Sequence, residues 1–454
     1  MKRFPRLFLM MLMAALFAPC IPAMADELPA PVTKLDLQDG DTLVFLGDSI
    51  THQCLYTQYV EDYFYTRYPK LRINFHNAGV GGAKALDALA RFDRDVAAYK
   101  PKYVTVLLGM NDGRYVPYNE EIFQTYRKDM QEVVQRIRDA GATPILMTPT
   151  MFDSRAVRLN PKRLEATPAE RLELYNSVLA YYGTWLREIA VKNGDGFVDM
   201  WSPLNHLTLQ QRDTDPNFTM IPDAVHPGPA GQLVMAYAIL SDMNAKKGVS
   251  NINITINPKG KAKARAAGGE VANLEFADDT LSFEWTAKSL PWVLPTDAEV
   301  AVKLLKLGHR MSREALSVHG LPPGKYELSI DGEVVGSYRS QGLARHIELQ
   351  ANDKTPQYQQ ALKVAMLNKK RNEGPVRSLR GEWSKFQQLD RQQRALKADP
   401  DNEKLAKLVA GIEAKVAGME ERVVAHEKAA QEIEEQIFAA NVPPTRKYVL
   451  KRVK

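Results

Sequence analysis

Four short stretches concentrate residue types suited to nucleophilic attack on a carbonyl. Gly47-Asp48-Ser49-Ile50-Thr51 follows an apolar run and precedes a helical one. A serine in a strand-to-helix turn stands at the carboxyl edge of a sheet, and the helix start offers unpaired N–H groups to a developing negative charge. Thr51 stands where the Gly-x-Ser-x-Gly elbow would need its second glycine, so that elbow is excluded. Asn77-Ala78-Gly79-Val80-Gly81-Gly82 follows the next run, and glycines let a backbone N–H approach a substrate closely. Gly109-Met110-Asn111-Asp112 ends the central run, where an amide side chain can donate to an oxygen turning negative. Asp223-Ala224-Val225-His226-Pro227 puts a carboxylate three residues before an imidazole, so Asp223 can orient and stabilise His226. Each stretch also has an ordinary reading: a helix cap, a glycine turn, an Asn-Asp turn, a structural ion pair or half a metal site.

The chemistry follows from the residue types. A serine hydroxyl attacks poorly until a base takes its proton, and imidazole suits that task because its pKa, about 6.5, lies near working pH. Other histidines compete. His52 lies three residues beyond Ser49 at a helix start and is expected off the line of attack, at most lining a substrate pocket. His76 sits in a β-run and His206 in a loop, neither with an acid at suitable spacing. Asp48 and Asp112 read as turn formers. Met151, Phe152, Asp153 and Arg155 follow a β-run on the same sheet edge, and Phe152 is expected to shape the substrate pocket. Trp285 and Trp292 raise the thought of a sugar platform; Trp285 fits a hairpin core better, whereas Trp292, between Pro291 and Pro295, is expected exposed and leaning over the catalytic domain.

The elements that must position these groups are short apolar runs separated by helical periodicity. Leu43–Leu46, Ile73–His76, Tyr103–Leu108, Ile145–Thr148 and Phe197–Met200 read as strands buried on both faces. One intervening helix carries Ile122, Tyr126, Met130, Val133 and Ile137 on one face and closes at Gly141; another opens at Thr167-Pro168-Ala169-Glu170 as a capped start and runs to Gly194. Strands joined by such helices imply right-handed parallel crossovers, hence a three-layer α/β/α sandwich around a five-stranded parallel sheet, with ligands at the strands' carboxyl ends.

Beyond residue 250 the pattern changes. Asn257–Gly269, rich in Lys, Arg, Ala and Gly, reads as a linker. Val271–Phe276 and Leu281–Trp285 alternate around Asp278-Asp279, and Tyr326–Ile330 and Glu333–Tyr338 flank Asp331-Gly332, a hairpin signal. From Pro356 onward the chain reads as helical. One series, from Leu405 through Ile412, Val416 and Met419 to Ile437, keeps a three-four spacing that permits a coiled coil and self-association, though packing on the chain itself is preferred. The division is therefore a leader at 1–25, a catalytic domain at 26–250, a β-rich accessory domain at 251–355 and a helical region at 356–454.

The leader is a basic start, the apolar run Leu7–Phe17 and Ala23-Met24-Ala25, a secretory signal pattern. That run is about half of the ~20 residues needed to cross a bilayer, and Pro19 before Cys20 is wrong for a lipid-attachment box. Export into the periplasm, the envelope or the medium is expected, with no transmembrane segment after cleavage. The net charge is +6, half of it in Lys2, Arg3 and Arg6, too mild a surplus for a nucleic-acid partner. Only Cys54 then remains, which excludes an internal disulfide and a cysteine-based zinc site; a buried structural thiol is expected there.

Taken in order, Gly-Asp-Ser, the glycine block, Gly-x-Asn-Asp and Asp-x-x-His resemble the SGNH (GDSL-type) hydrolase superfamily over roughly residues 40–247. The resemblance implies a flavodoxin-like sandwich and a serine esterase with no metal and no organic cofactor. Carried over position by position, it implies Ser49 as nucleophile, His226 as base and Asp223 as its partner. The oxyanion donors it implies are the N–H groups of Ser49 and Gly79 and the side chain of Asn111. By family analogy the ester substrate is an acylated polysaccharide, with lysophospholipase or thioesterase activity as the alternative. A reading of another class is a non-catalytic envelope scaffold or glycan-binding protein.

Overall fold

The computed structural model describes residues 28–453; the expected leader and Cys20 lie outside the described residues. Five strands form one sheet: β1 (Thr42–Gly47), β2 (Asn74–Gly79), β3 (Tyr103–Leu107), β4 (Thr143–Met147) and β5 (Gly196–Val198), in the order β2-β1-β3-β4-β5. Every pairing is parallel. Leu43 to Leu46, Val104, Val106, Ile145 and Leu146 are fully buried, as continuous apolar runs require of strands covered on both faces.

The covering helices are α1 (Ser49–His52), α2 (Leu55–Arg67), α3 (Ala85–Asp95), α4 (Glu120–Asp139), α5 (Ala169–Asn193) and α6 (Pro229–Asp242). Tyr126, Met130, Val133 and Ile137 of α4 are buried on the expected stripe. The start of α5 departs from expectation: Pro168 occupies the cap position, and the Thr167 hydroxyl donates back to the Arg163 carbonyl at 2.7 Å. Its end is as read, with Gly194 left-handed at φ +71°.

The accessory region builds two further sheets. One has the order β13-β10-β6-β7, from β6 (Gly248–Ile256), β7 (Ala262–Ala267), β10 (Arg313–His319) and β13 (Ile347–Glu348). The other, β12-β11-β14-β9-β8, contains both expected hairpins: β8 (Gly269–Ala277) with β9 (Thr280–Ala287), and β11 (Lys325–Ile330) with β12 (Glu333–Arg339). Asp278 and Asp279, and likewise Asp331 and Gly332, have positive φ, as tight hairpin turns demand. Their shared core includes Ile254, Phe283, Trp285, Val318 and Leu328.

Two parts of this region differ from the sequence reading. The expected linker holds β7, whose Lys263 and Arg265 alternate with alanines on a sheet edge, a position that charge protects from unwanted pairing. The last strand, β14 (Thr445–Val453), leaves the helical region and inserts between β9 and β11, burying Tyr448 and Leu450.

The helical region begins with α7 (Pro356–Arg371), passes through a π-helical turn at Asn372–Val376 and continues as α8 (Arg377–Ala398). The wide turn accommodates Pro375, which cannot donate into the ladder. Then come α9 (Glu403–Val416) and α10 (Met419–Ala440). Gly418, left-handed at φ +69°, breaks the apolar series into these two helices. Val409 and Ile412 pack with Leu389 of α8, while Ile437 joins the main core, so these positions are used within the chain. Among the described residues, no helix is long and apolar enough to cross a membrane.

Candidate active site

Ser49 is the first residue of α1, directly after β1. Asp48 caps that helix by accepting from the Ile50 N–H at 2.9 Å, which fixes the turn and leaves Ser49 half-buried at the sheet's carboxyl edge. His226 arrives from the loop before α6. Its Nε2 lies 2.8 Å from Ser49 Oγ and its Nδ1 lies 2.7 Å from Asp223 Oδ2. The other oxygen of Asp223 accepts from the N–H groups of Val225 and His226 at 3.0 and 2.7 Å, so one carboxylate both shapes the turn and holds the ring. Ala224 within that turn is buried with φ +75°, a left-handed backbone uncommon for alanine and held by these bonds.

The electrostatics suit a base. The Asp223 hydrogen bond raises the His226 pKa above the ordinary 6.5, outweighing partial burial. Asp223 itself, although burial opposes ionisation, is held well below the usual carboxylate range by His226 and the two backbone N–H groups. The result is an ionised carboxylate, an imidazole and a hydroxyl in one hydrogen-bonded line, able to pass the serine proton to Nε2.

Asn111 faces the same edge. Its Nδ2 donates to the Ala83 carbonyl at 3.1 Å and reaches Asp48 Oδ2 only at 3.5 Å, too long to occupy its second hydrogen fully. Its Oδ1 accepts from the Tyr115 hydroxyl at 3.1 Å, which fixes the amide with its donor end toward the serine turn. Tyr115 is held in turn by its ring against Tyr175 (centroids 4.9 Å apart) and under the Arg171 guanidinium, 5.4 Å away. Arg114 and Tyr115 both have positive φ, two successive strained residues beside the site. No sequence signal marked Tyr115.

Two cavities flank this arrangement and share Tyr115. One, of about 600 Å³, has Gly82, Asn111 and Asp112 on its wall; the other, of about 430 Å³, has Phe152, Arg171, Asp223 and Val225. Burial pushes the carboxyls of Asp48 and Asp112 up to about 7. Asp112 accepts from the N–H groups of Ala85 and Gly109, organising both loops rather than facing the serine.

Three expected residues stand elsewhere. Gly79 is a correction: its N–H donates to Asn77 Oδ1 at 2.9 Å, and a Cβ there would lie 2.6–2.7 Å from Thr51 atoms, so its glycine serves close packing under α1. Gly82, three residues on, lines the cavity beside Asn111; among the described residues its N–H, like that of Gly81, makes no hydrogen bond, and its φ of +67° favours glycine. The cue was present in the repeated glycines, but the sequence did not say which one lines the cavity. His52 lines neither cavity. Burial and the nearby Arg380, Arg377 and Arg91 push its pKa down to about 4, and it packs toward the C-terminal helices. Trp292 is 4% exposed, not open, stands edge-on to Tyr63 with ring centroids 5.8 Å apart, and lines neither cavity. Phe152 does line the second cavity. Cys54 is buried with its thiol raised to about 12. Among the described residues, no group of three His, Cys, Asp or Glu side chains could hold a metal.

Residues 45–234 match the GDSL-like lipase/acylhydrolase family. The chain belongs to the SGNH hydrolase superfamily. It is an SGNH-type carboxylic ester hydrolase. Acetylxylan esterase of Geobacillus stearothermophilus is 27% identical over 236 residues, 46% of this chain and 96% of that protein. An uncharacterized lipoprotein of Bacillus subtilis is 36% identical over 74 residues, 16% of this chain and 30% of that one. The solved structure of a gut microbial diltiazem-metabolizing enzyme is 29% identical, covers 93% of this chain and 100% of its own, and superposes with a TM-score of 0.79. The likeness therefore extends beyond the SGNH domain to the accessory sheets and C-terminal helices.

Those helices reach the site. The Gln387 side chain of α8 donates to the Gly81 carbonyl at 2.9 Å and Arg391 to that of Gly82 at 2.7 Å. The glycine loop of the SGNH domain is thus held from outside by a segment the four sequence blocks do not include.

Proposed function

We propose that the protein is an exported serine esterase that removes acetyl groups from carbohydrate, with Ser49, His226 and Asp223 as its triad. The observation that carries the reading is the continuous line from Asp223 through His226 to Ser49, with 2.7 and 2.8 Å links. Ser49 Oγ attacks the ester carbonyl carbon while His226 Nε2 takes its proton. The tetrahedral oxyanion is met by the N–H groups of Ser49 and Gly82 and by Asn111 Nδ2. Collapse expels the sugar alkoxide, which takes the proton from His226 and leaves an acetyl-enzyme. Water, deprotonated by the same imidazole, then releases acetate and restores Ser49.

The acetylxylan esterase relative supports the substrate class. So does the charged and polar wall of the cavity beside Asn111, which suits a sugar better than a long acyl chain. The leader pattern and the lipoprotein relative support an envelope or extracellular location.

The test is hydrolysis of p-nitrophenyl acetate and of acetylated xylo-oligosaccharides by the purified chain beside Ser49→Ala. Acetate release by the native chain alone is expected. Equal release by both proteins would return the balance to a non-catalytic glycan-binding role.

A further inference from the structure

The cavity beside Asn111 is charged in a way that ester chemistry alone does not require. Its wall carries Lys84, Arg114, Arg391 and Arg394 against Asp87 and Asp129, with Asp112 partly neutral because burial raises it to about 7. Arg391 spends Nε and Nη2 on Asp87 and the Gly82 carbonyl, and its Nη1, which makes no hydrogen bond among the described residues, lies 3.9 Å from where a Cβ on Gly82 would stand. Arg394 binds Asp87 and Asp390 through Nη2 alone, while its Nε is buried with no partner. The Arg114 side chain is exposed and makes no hydrogen bond among the described residues. Cationic donors therefore exceed what the local carboxylates absorb, and one of them, Arg394 Nε, is buried without a partner, a costly state unless a ligand supplies an acceptor.

We propose that this cavity is an anion subsite, which receives a carboxylate or sulfate borne on the same acetylated sugar whose ester meets Ser49. The inference rests on the acetyl-ester reading above, because an acetyl group is itself neutral and the charge must then lie on the alcohol portion. Guanidinium groups with free N–H edges match the planar oxygens of a carboxylate and also take sulfate. The position also fits. Asn111 and Gly82 form the border between the oxyanion donors and the cavity, so a charged substituent neighbouring the acetylated hydroxyl would enter it.

The experiment compares kcat/KM of the full chain on acetylated xylo-oligosaccharide, acetylated oligogalacturonate and an acetylated sulfated oligosaccharide, at low and high salt, with p-nitrophenyl acetate as a neutral reference. At least one anionic substrate is expected to exceed the neutral one by about tenfold or more, the scale of one charge-assisted hydrogen bond. That preference should shrink with salt, and the two anionic arms separate carboxylate from sulfate. Arg394→Gln should lower the preference by a similar factor. Since Arg394 also holds Asp87, Arg114→Gln serves as the second variant, expected to lower it less. Equal or poorer rates on both anionic substrates, or a preference untouched by either substitution, would overturn the subsite. Inactivity on p-nitrophenyl acetate and on every acetylated glycan would instead overturn the esterase reading beneath it.

Discussion

Two aspartate–histidine pairs stand among the described residues, and they have opposite fates. In Asp223–His226 the ring is about one-third exposed, its carboxylate has no cationic partner but the imidazole among the described residues, and its free nitrogen meets a serine hydroxyl. The carboxylate raises the imidazole pKa. In Asp95–His76 the ring is buried, 3.1 Å from its carboxylate and stacked 3.5 Å from Tyr99. There Asp95 also receives Arg91 at 2.5 Å and both Nη groups of Arg380 at 2.7–2.8 Å, so its charge is already matched, and burial lowers the His76 pKa. An acid beside a histidine is thus expected to make a base only where the acid's charge is otherwise unclaimed and the ring's far nitrogen reaches a hydroxyl. The second pair is a fastener: Arg380 belongs to α8, and its fully buried ion pair ties the C-terminal helices to the SGNH domain.

The comparison can be broken most directly through the two histidines. His226→Ala is expected to lower kcat by about 10⁴-fold or more, as loss of a triad member does, whereas His76→Phe should change kcat little; steady-state assays of the two variants check this, and similar losses would erase the distinction. The two aspartates should divide activity from stability. Asp95→Asn leaves Arg91 and Arg380 buried without full compensation, and about 3–5 kcal/mol of stability is expected to be lost in denaturant titrations. Asp223→Asn should unfold near the native midpoint and show its loss in turnover. Next in size, Asn111→Ala is expected to reduce kcat by about 10²–10³-fold with KM less affected, as when one oxyanion donor is removed.

Two finer measurements sharpen the contrast. Tyr115→Phe keeps the ring against Tyr175 but frees the Asn111 amide to turn, so kcat should fall about tenfold, the worth of one hydrogen bond, with no further loss when combined with Asn111→Ala. The pH profile carries the sign of the His226 shift. Protonated His226 cannot accept the serine proton, so kcat/KM should rise with pH through an inflection above 6.5. In Asp223→Asn the remaining activity should show that inflection at lower pH, because the group that raised it is gone.

Much of the SGNH domain was legible before any coordinate. The five apolar runs became the five strands with ends shifted by at most three residues, because a strand covered on both faces leaves a continuous hydrophobic signature. The hairpins at Asp278-Asp279 and Asp331-Gly332 were legible for a similarly local reason: tight turns need residues that tolerate positive φ. β7 and β14 were not, since a lysine- and arginine-rich edge strand reads like a linker and β14 finds its partners more than a hundred residues upstream. Trp292 went astray because a proline-flanked tryptophan suggests a loop, and only the packing against Tyr63 shows that it is covered.

What the amino-acid order determined by itself is therefore what depends on near neighbours: the alternation of strands and helices, the serine turn capped by Asp48, and the reach of Asp223 to His226 across three residues. Only the tertiary structure decided that the Gly79 N–H is not open, since Asn77 has already claimed it, and that Gly82 is the glycine lining the cavity. It alone brought Tyr115 to Asn111, and Gln387 and Arg391 to the glycine loop. Hydrogen bonds and ion pairs act over a few ångströms in space without regard to chain separation, and no pattern of residue types along the chain records which distant segments the core will press together.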